Sequence, residues 1–132
     1  MIKALFAALA TIAGLSAAQA GDPFFPGMKS WDSYYTEDGL KLRIVNHKVM
    51  YPDGTQATYR RDGTYLFQTS DADPGVTGRY TIRPYGMICV KFDKGGARCD
   101  TYVRAMQDTV FLTGGGERMK VKALVDLTQS SS

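Results

Sequence analysis

Glycine-bearing turn signals recur at short intervals along this chain: Glu37-Asp38-Gly39, Pro52-Asp53-Gly54, Arg61-Asp62-Gly63, Asp73-Pro74-Gly75, Pro84-Tyr85-Gly86, Lys94-Gly95-Gly96 and Gly114-Gly115-Gly116. Each puts glycine where the backbone reverses and a positive φ is needed, a conformation other residues resist. The runs between them are rich in Val, Ile, Thr, Tyr and Phe, which suit a pleated, half-buried surface. Punctuation this frequent leaves no room for the crossovers that parallel strands require. Strands are predicted near 40–46, 48–51, 55–60, 64–69, 76–83, 86–92, 97–104, 109–113 and 118–125. The expected fold is all-β, an antiparallel up-and-down meander of eight or nine short strands. Closing it into a small barrel removes the exposed edges.

Three turns look alike. In Pro52-Asp53-Gly54, Arg61-Asp62-Gly63 and Asp93-Lys94-Gly95, two ordinary residues precede a glycine. That suits a three-residue hairpin loop, a type I turn ending in a left-handed glycine. Applied to the second, the register sets Tyr59 opposite Tyr65, a hairpin-stabilising aromatic pair of up to ~1 kcal/mol.

The chain of 132 residues divides into four segments. Met1-Ile2-Lys3 is a positive start, followed by the uncharged run "ALFAALATIAGLSAA" and the small residues Ala18-Gln19-Ala20. That pattern is expected to be a secretory signal peptide over 1–20, cleaved after Ala20. The apolar run falls short of the ~20 residues needed to span a bilayer. Residues 21–38 form an N-terminal arm in which Trp31, Tyr34 and Tyr35 fall at helical spacing. This predicts a short N-terminal helix whose aromatics plug one end of the barrel. The barrel domain is expected over 39–126 and a disordered tail over 127–132. The implied location is the bacterial periplasm or the exterior.

Composition excludes several function classes. The net charge is only +3 and the charges are interspersed, so neither nucleic-acid binding nor membrane insertion of the mature chain is expected. No nucleophile elbow, zinc-protease pattern or phosphate-binding glycine loop occurs, so no catalytic residue, metal or cofactor is assigned and an enzyme is not expected. His47 reads as a hydrogen-bonding residue near a strand end. Asp71 and Asp73 read as members of a solvated turn, and two carboxylates are too few for Ca²⁺. Arg79, Arg83, Arg98 and Arg104 fall on central strands, where a shared face would make a basic patch. Gly114-Gly115-Gly116 reads as a flexible hairpin loop.

Both cysteines lie in "GMICVKFDKGGARCDTYV", from Gly86 to Val103. An exported chain with two cysteines is expected to join them, here Cys89 to Cys99. Two registers compete. A three-residue Asp93-Lys94-Gly95 loop sets Cys89 opposite Cys99, within bonding reach. A two-residue Gly95-Gly96 turn pairs Phe92 with Cys99, Val90 with Thr101 and Ile88 with Val103, a cleaner apolar face that separates the thiols. A β-bulge would reconcile them in part.

The segments "DGTYLF", "TGRYTI", "MICVKF" and "RCDTYV" together resemble small exported proteobacterial β-proteins of unknown function, in which a Gly-x-Tyr strand precedes a Cys-bearing strand pair. That resemblance covers roughly residues 55–104 and implies fold and export. The run "VTGRYTI" is also similar to a segment of periplasmic lysozyme inhibitors, with Thr77 at the position of the inhibitory serine. It implies a candidate partner loop at Thr77, Gly78, Arg79 and Tyr80. Two functions are therefore expected of a monomer. One is binding of a small apolar or amphipathic molecule in the barrel, with Trp31, Tyr34 and Tyr35 at its mouth and a cavity of at least ~300 Å³. The other is binding of a protein, such as a lysozyme, through the exposed loop.

Overall fold

A computed structural model describes residues 23–130. The expected signal segment therefore lies outside the described residues, as do Ser131 and Ser132. The chain runs through β1 (Asp32–Tyr34), α1 (Glu37–Ile44), β2 (His47–Met50), β3 (Gln56–Tyr59), β4 (Thr64–Gln68) and β5 (Val76–Ile82). A 3-10 turn (Pro84–Gly86) leads to β6 (Met87–Phe92), β7 (Ala97–Ala105), β8 (Asp108–Leu112), β9 (Arg118–Lys120) and β10 (Ala123–Asp126), with α2 (Leu127–Ser130) last.

The strands form one antiparallel sheet in the order β10-β2-β3-β4-β5-β6-β7-β8-β9, with β1 added against β7. The two ends of that path are consecutive in sequence. Residues predicted as a single strand, 118–125, are split: the first half pairs with β8 and the second with β2. At the junction the Val121 amide donates to Thr109 and the Lys122 amide to Met50. One segment thus carries both edges of the curled sheet, which leaves little of either edge free for another chain.

The turn chemistry sets the register. Gly54 and Gly63 take φ of +93° and +94°, and the loops close through Tyr51–Thr55 and Arg60–Thr64 as three-residue hairpins. Tyr59 then pairs with Tyr65, their ring centroids 5.4 Å apart.

Two expectations about the N-terminal part are corrected. Of residues 40–46, read as a strand, 40–44 belong to α1 and 45–46 to the turn after it, and the helix expected around Trp31–Tyr35 is instead a turn and β1. Leu40 and Ile44 are fully buried one helical turn apart, while Leu42 between them is 84% exposed. That is a helical period, and the alternation of Leu40, Leu42 and Ile44 imitated a strand. Thr36 caps the helix by accepting from the Gly39 amide at 2.9 Å, and Glu37 and Asp38 favour its positive end. Burying Leu40 and Ile44 contributes roughly 1.5–3 kcal/mol each. The tail is corrected too, because Leu127–Ser130 make a helical turn whose first amide donates to Asn46.

The interior has two halves. At the end marked by the 3-10 turn, α1 and Tyr35 pack against Val49, Ile82 and the neighbouring strands. A second, smaller cluster lies on the outer face of β7 and β8, where Phe25, Met28 and Tyr34 of the arm cover Val103, Val110 and Leu112. This coverage explains why β7 is buried on both faces in its middle.

Candidate functional site: a hollow between the hairpin loops

The other half of the interior is hollow. A cavity of about 470 Å³ opens between the 93–95 and 113–117 loops, at the far end of β6 from α1. Its wall is mainly aromatic, from Tyr51, Tyr59, Tyr65, Phe67, Phe92 and Phe111, with Ile88 and Val90 of β6 between them. The rings lock one another in place. Tyr65 meets Phe92 edge-on at 6.2 Å, and Tyr51 meets Phe111 at 5.8 Å between centroids.

The charged part of the wall comes from the cysteine hairpin. Phe92 donates to and receives from its loop through Gly96 and Gly95, so the loop is Asp93-Lys94-Gly95 and Gly95 takes φ of +107°. Cys89 faces Cys99 with Cα atoms 4.0 Å apart, and the two are bonded. The competing Gly95-Gly96 register is overturned, and no bulge is needed. The observed register opposes Ile88 with Asp100 and Val90 with Arg98, and so turns two charged residues inward. That is the arrangement the apolar-face argument disfavoured.

The pair is tolerable because its members satisfy each other. Arg98 donates from Nε at 2.7 Å and from Nη2 at 2.9 Å to the two oxygens of Asp100, a two-pronged contact. The Gly114 amide adds a third donor to Asp100 at 3.2 Å. Asp100 is buried and the Arg98 side chain is half exposed towards the opening. The Arg98 guanidinium is held above its ordinary pKa first by these hydrogen bonds, against the opposing effect of burial.

Beneath the pair, the Tyr102 hydroxyl bonds the hydroxyls of Tyr51 at 2.7 Å and Tyr59 at 2.9 Å. Burial pushes all three phenols well above their usual range. Tyr65 stands apart from that network. Its pKa is pushed up to about 12, chiefly by burial, and its hydroxyl has no partner among the described residues.

The residues expected at a ligand mouth are elsewhere. Trp31 is 55% exposed in the turn before β1, and Tyr34 packs on the outer face of the sheet. Tyr35 plugs the closed end, its hydroxyl 2.7 Å from Thr109 Oγ1, with the guanidiniums of Arg43 and Arg104 over its ring. None of the three lines the cavity.

The expected partner loop is also corrected. Thr77, Gly78, Arg79 and Tyr80 lie in the middle of β5, a strand paired on both sides. Thr77 donates to Asp93 at 2.6 Å, Arg79 to the Asp62 carbonyl at 2.9 Å and Tyr80 to the Arg60 carbonyl at 2.6 Å. Gly78 sits where a Cβ would collide with the Lys91 carbonyl, so its role is close strand approach. Three of the four central arginines are drawn to separate places: Arg98 turns inward, Arg104 stacks at the closed end and Arg79 holds the 61–63 turn.

Other candidates hold the scaffold. His47 Nδ1 lies 2.9 Å from the Val45 carbonyl. Asp73 accepts from the Thr69 and Gly75 amides, and Asp71 accepts from Gln56. Among the described residues, no three His, Cys, Asp or Glu side chains gather closely enough to hold a metal ion. No helix among them is long and apolar enough to cross a membrane.

The Arg98–Asp100 wall was missed because alternation was read as apolar-inward. The available signal was Arg and Asp two residues apart on one strand, the spacing that puts both on one face. Comparisons with protein-family models, curated proteins and solved structures find no match to this chain.

Proposed function

We propose that this protein is an exported, non-enzymatic binding module that holds a small apolar or amphipathic molecule between its hairpin loops. The observation that carries the reading is the aromatic-walled cavity of about 470 Å³, within the size range of small-molecule sites. A core of this size is normally close-packed, and leaving such a volume open sacrifices dispersion contacts on every wall. A binding role accounts for that sacrifice. The disulfide and the leader-like start of the sequence support export to an oxidising compartment.

The test is uptake of N-phenylnaphthylamine, a neutral dye that fluoresces when it leaves water. Saturable one-to-one enhancement by the folded protein is expected. No enhancement at micromolar protein would contradict the reading.

A further inference from the structure

The wall's hydrogen-bonding groups are unevenly used, and the imbalance specifies a ligand. Each tyrosine hydroxyl carries one proton to donate. Tyr51, Tyr59 and Tyr102 share two hydrogen bonds, which consume two of their three protons. If the third stayed on Tyr102, fully buried and outside the wall, it would have no acceptor, a costly arrangement. The unused proton therefore resides on Tyr51 or Tyr59, both of which line the hollow.

Tyr65 adds a second donor. It is only 9% exposed, lines the same cavity, and its hydroxyl makes no hydrogen bond among the described residues. It also lies close enough to Arg98 and Asp100 to feel both charges. Arg98 contributes a third donor, because its bonds to Asp100 use Nε and Nη2 and leave Nη1 without a protein partner. The wall's buried carboxylate is spoken for, and the other, Glu117, is exposed at the rim. Asp100 takes both prongs of Arg98 and the Gly114 amide. Donors are in surplus, so a fitting ligand must bring an acceptor.

Charge narrows the choice. Arg98 is already neutralised by a carboxylate at 2.7 Å, and the rim carries one charge of each sign on the exposed side chains of Lys94 and Glu117. A ligand anion held within the hollow would sit beside the buried Asp100, whose partner Arg98 is already engaged, and would lose its hydration as well. An uncharged acceptor avoids that cost.

We infer that the cavity selects uncharged, mainly apolar molecules carrying a hydrogen-bond-accepting oxygen, with the Tyr65 hydroxyl as the group that reads it. This rests on the binding-module reading above and specifies its ligand class. Arg98 lines the same hollow and keeps Nη1 without a protein partner, a further donor for such an oxygen.

The experiment is displacement of N-phenylnaphthylamine by three matched compounds: methyl naphthyl ketone, ethylnaphthalene and naphthoate. The ketone should bind about tenfold more tightly than the hydrocarbon, the worth of one well-made hydrogen bond, and naphthoate should bind most weakly. Tyr65→Phe keeps the ring and should collapse the ketone-to-hydrocarbon ratio to about one. Equal binding of ketone and hydrocarbon by the native protein would overturn the inference while leaving the module reading intact. So would naphthoate binding tightest, or a ratio that survives Tyr65→Phe. If the dye itself fails to bind, both readings fall.

Discussion

Two arginines grip a carboxylate with two prongs in this molecule, and the contacts serve opposite ends. Arg118 holds Asp32 at 2.6 and 3.1 Å across the sequence, joining β9 to the N-terminal arm. Its Nη1 also donates to the Gly27 carbonyl, and Asp32 takes the Lys29 amide at 2.7 Å. The Asp32 side chain is covered, so this is a clamp with its groups engaged. Arg98 holds Asp100 two residues along the same strand, ties no distant segments together and keeps one nitrogen unbonded on a side chain that lines the hollow. The same chemistry makes a fastening where it bridges and a recognition surface where it is local.

Breaking the clamp should have the largest effect. Asp32→Ala leaves Arg118 facing a partly buried void and should cost about 3 kcal/mol in chemical denaturation. It should also free the arm from the outer face of β7 and β8, while dye uptake by the folded protein persists. Loss of dye uptake without loss of stability would erase the distinction between the pairs.

A comparable loss is expected from replacing Cys89 and Cys99 with serine. Their bond closes a short loop and removes about 3 kcal/mol of entropy from the unfolded chain. The staple lies on the hairpin that carries Arg98 and Asp100, on the opposite face. Reduction should therefore loosen dye binding before it releases the arm. An arm that frees first, as read by Trp31, would contradict this division.

Asp100→Asn should be milder for stability, about 1 kcal/mol, since Arg98 is half exposed and can be solvated. Its effect should appear in ligand choice. With Arg98 left unmatched, naphthoate should overtake the ketone in displacement of the dye. An unchanged order of preference would show that the pair does not set the charge selectivity.

The smallest effect near neutrality is the pH dependence. Burial pushes the Asp32 carboxyl up, but hydrogen bonds from Arg118 and the Lys29 amide together hold it below the usual carboxylate range. A depressed native pKa contributes stability that is present above the unfolded value of ~3.9 and is lost as pH falls through the native value. Asp53, Asp62 and Asp73, held down by bonds to Thr55, Thr64 and Thr69, act in the same direction. Stability should be flat above about pH 5 and decline below about pH 4. In Asp32→Ala the acid decline should be shallower.

The legible part of the fold lay in local chemistry. Two ordinary residues before a glycine specified three-residue loops: at Arg61-Asp62-Gly63 this set Tyr59 against Tyr65, whereas at Asp93-Lys94-Gly95 it was one of two competing registers, the one that joins Cys89 to Cys99. Alternation failed where it had two meanings. Leu40, Leu42 and Ile44 alternate like a strand, yet the cap at Thr36 and the acids after it marked a helix. It failed again at Arg98 and Asp100, whose mutual hydrogen bonds let an inward face be charged. The short strand Asp32–Tyr34 carries no propensity signal, because its place comes from the Arg118 clamp and from pairing with the far end of β7. The ligand-binding reading required a cavity and sought its mouth at Trp31, Tyr34 and Tyr35, away from the hollow. Tyr35 closes the end where the mouth was sought, and the opening lies among hairpin loops that the sequence marks only as turns.

The most direct measurement is native mass spectrometry of the protein purified without reductant, before and after incubation with N-phenylnaphthylamine. The account predicts a disulfide-bonded chain that either carries an additional dissociable neutral mass or takes up one molecule of the dye. A chain that stays bare under both conditions would contradict it.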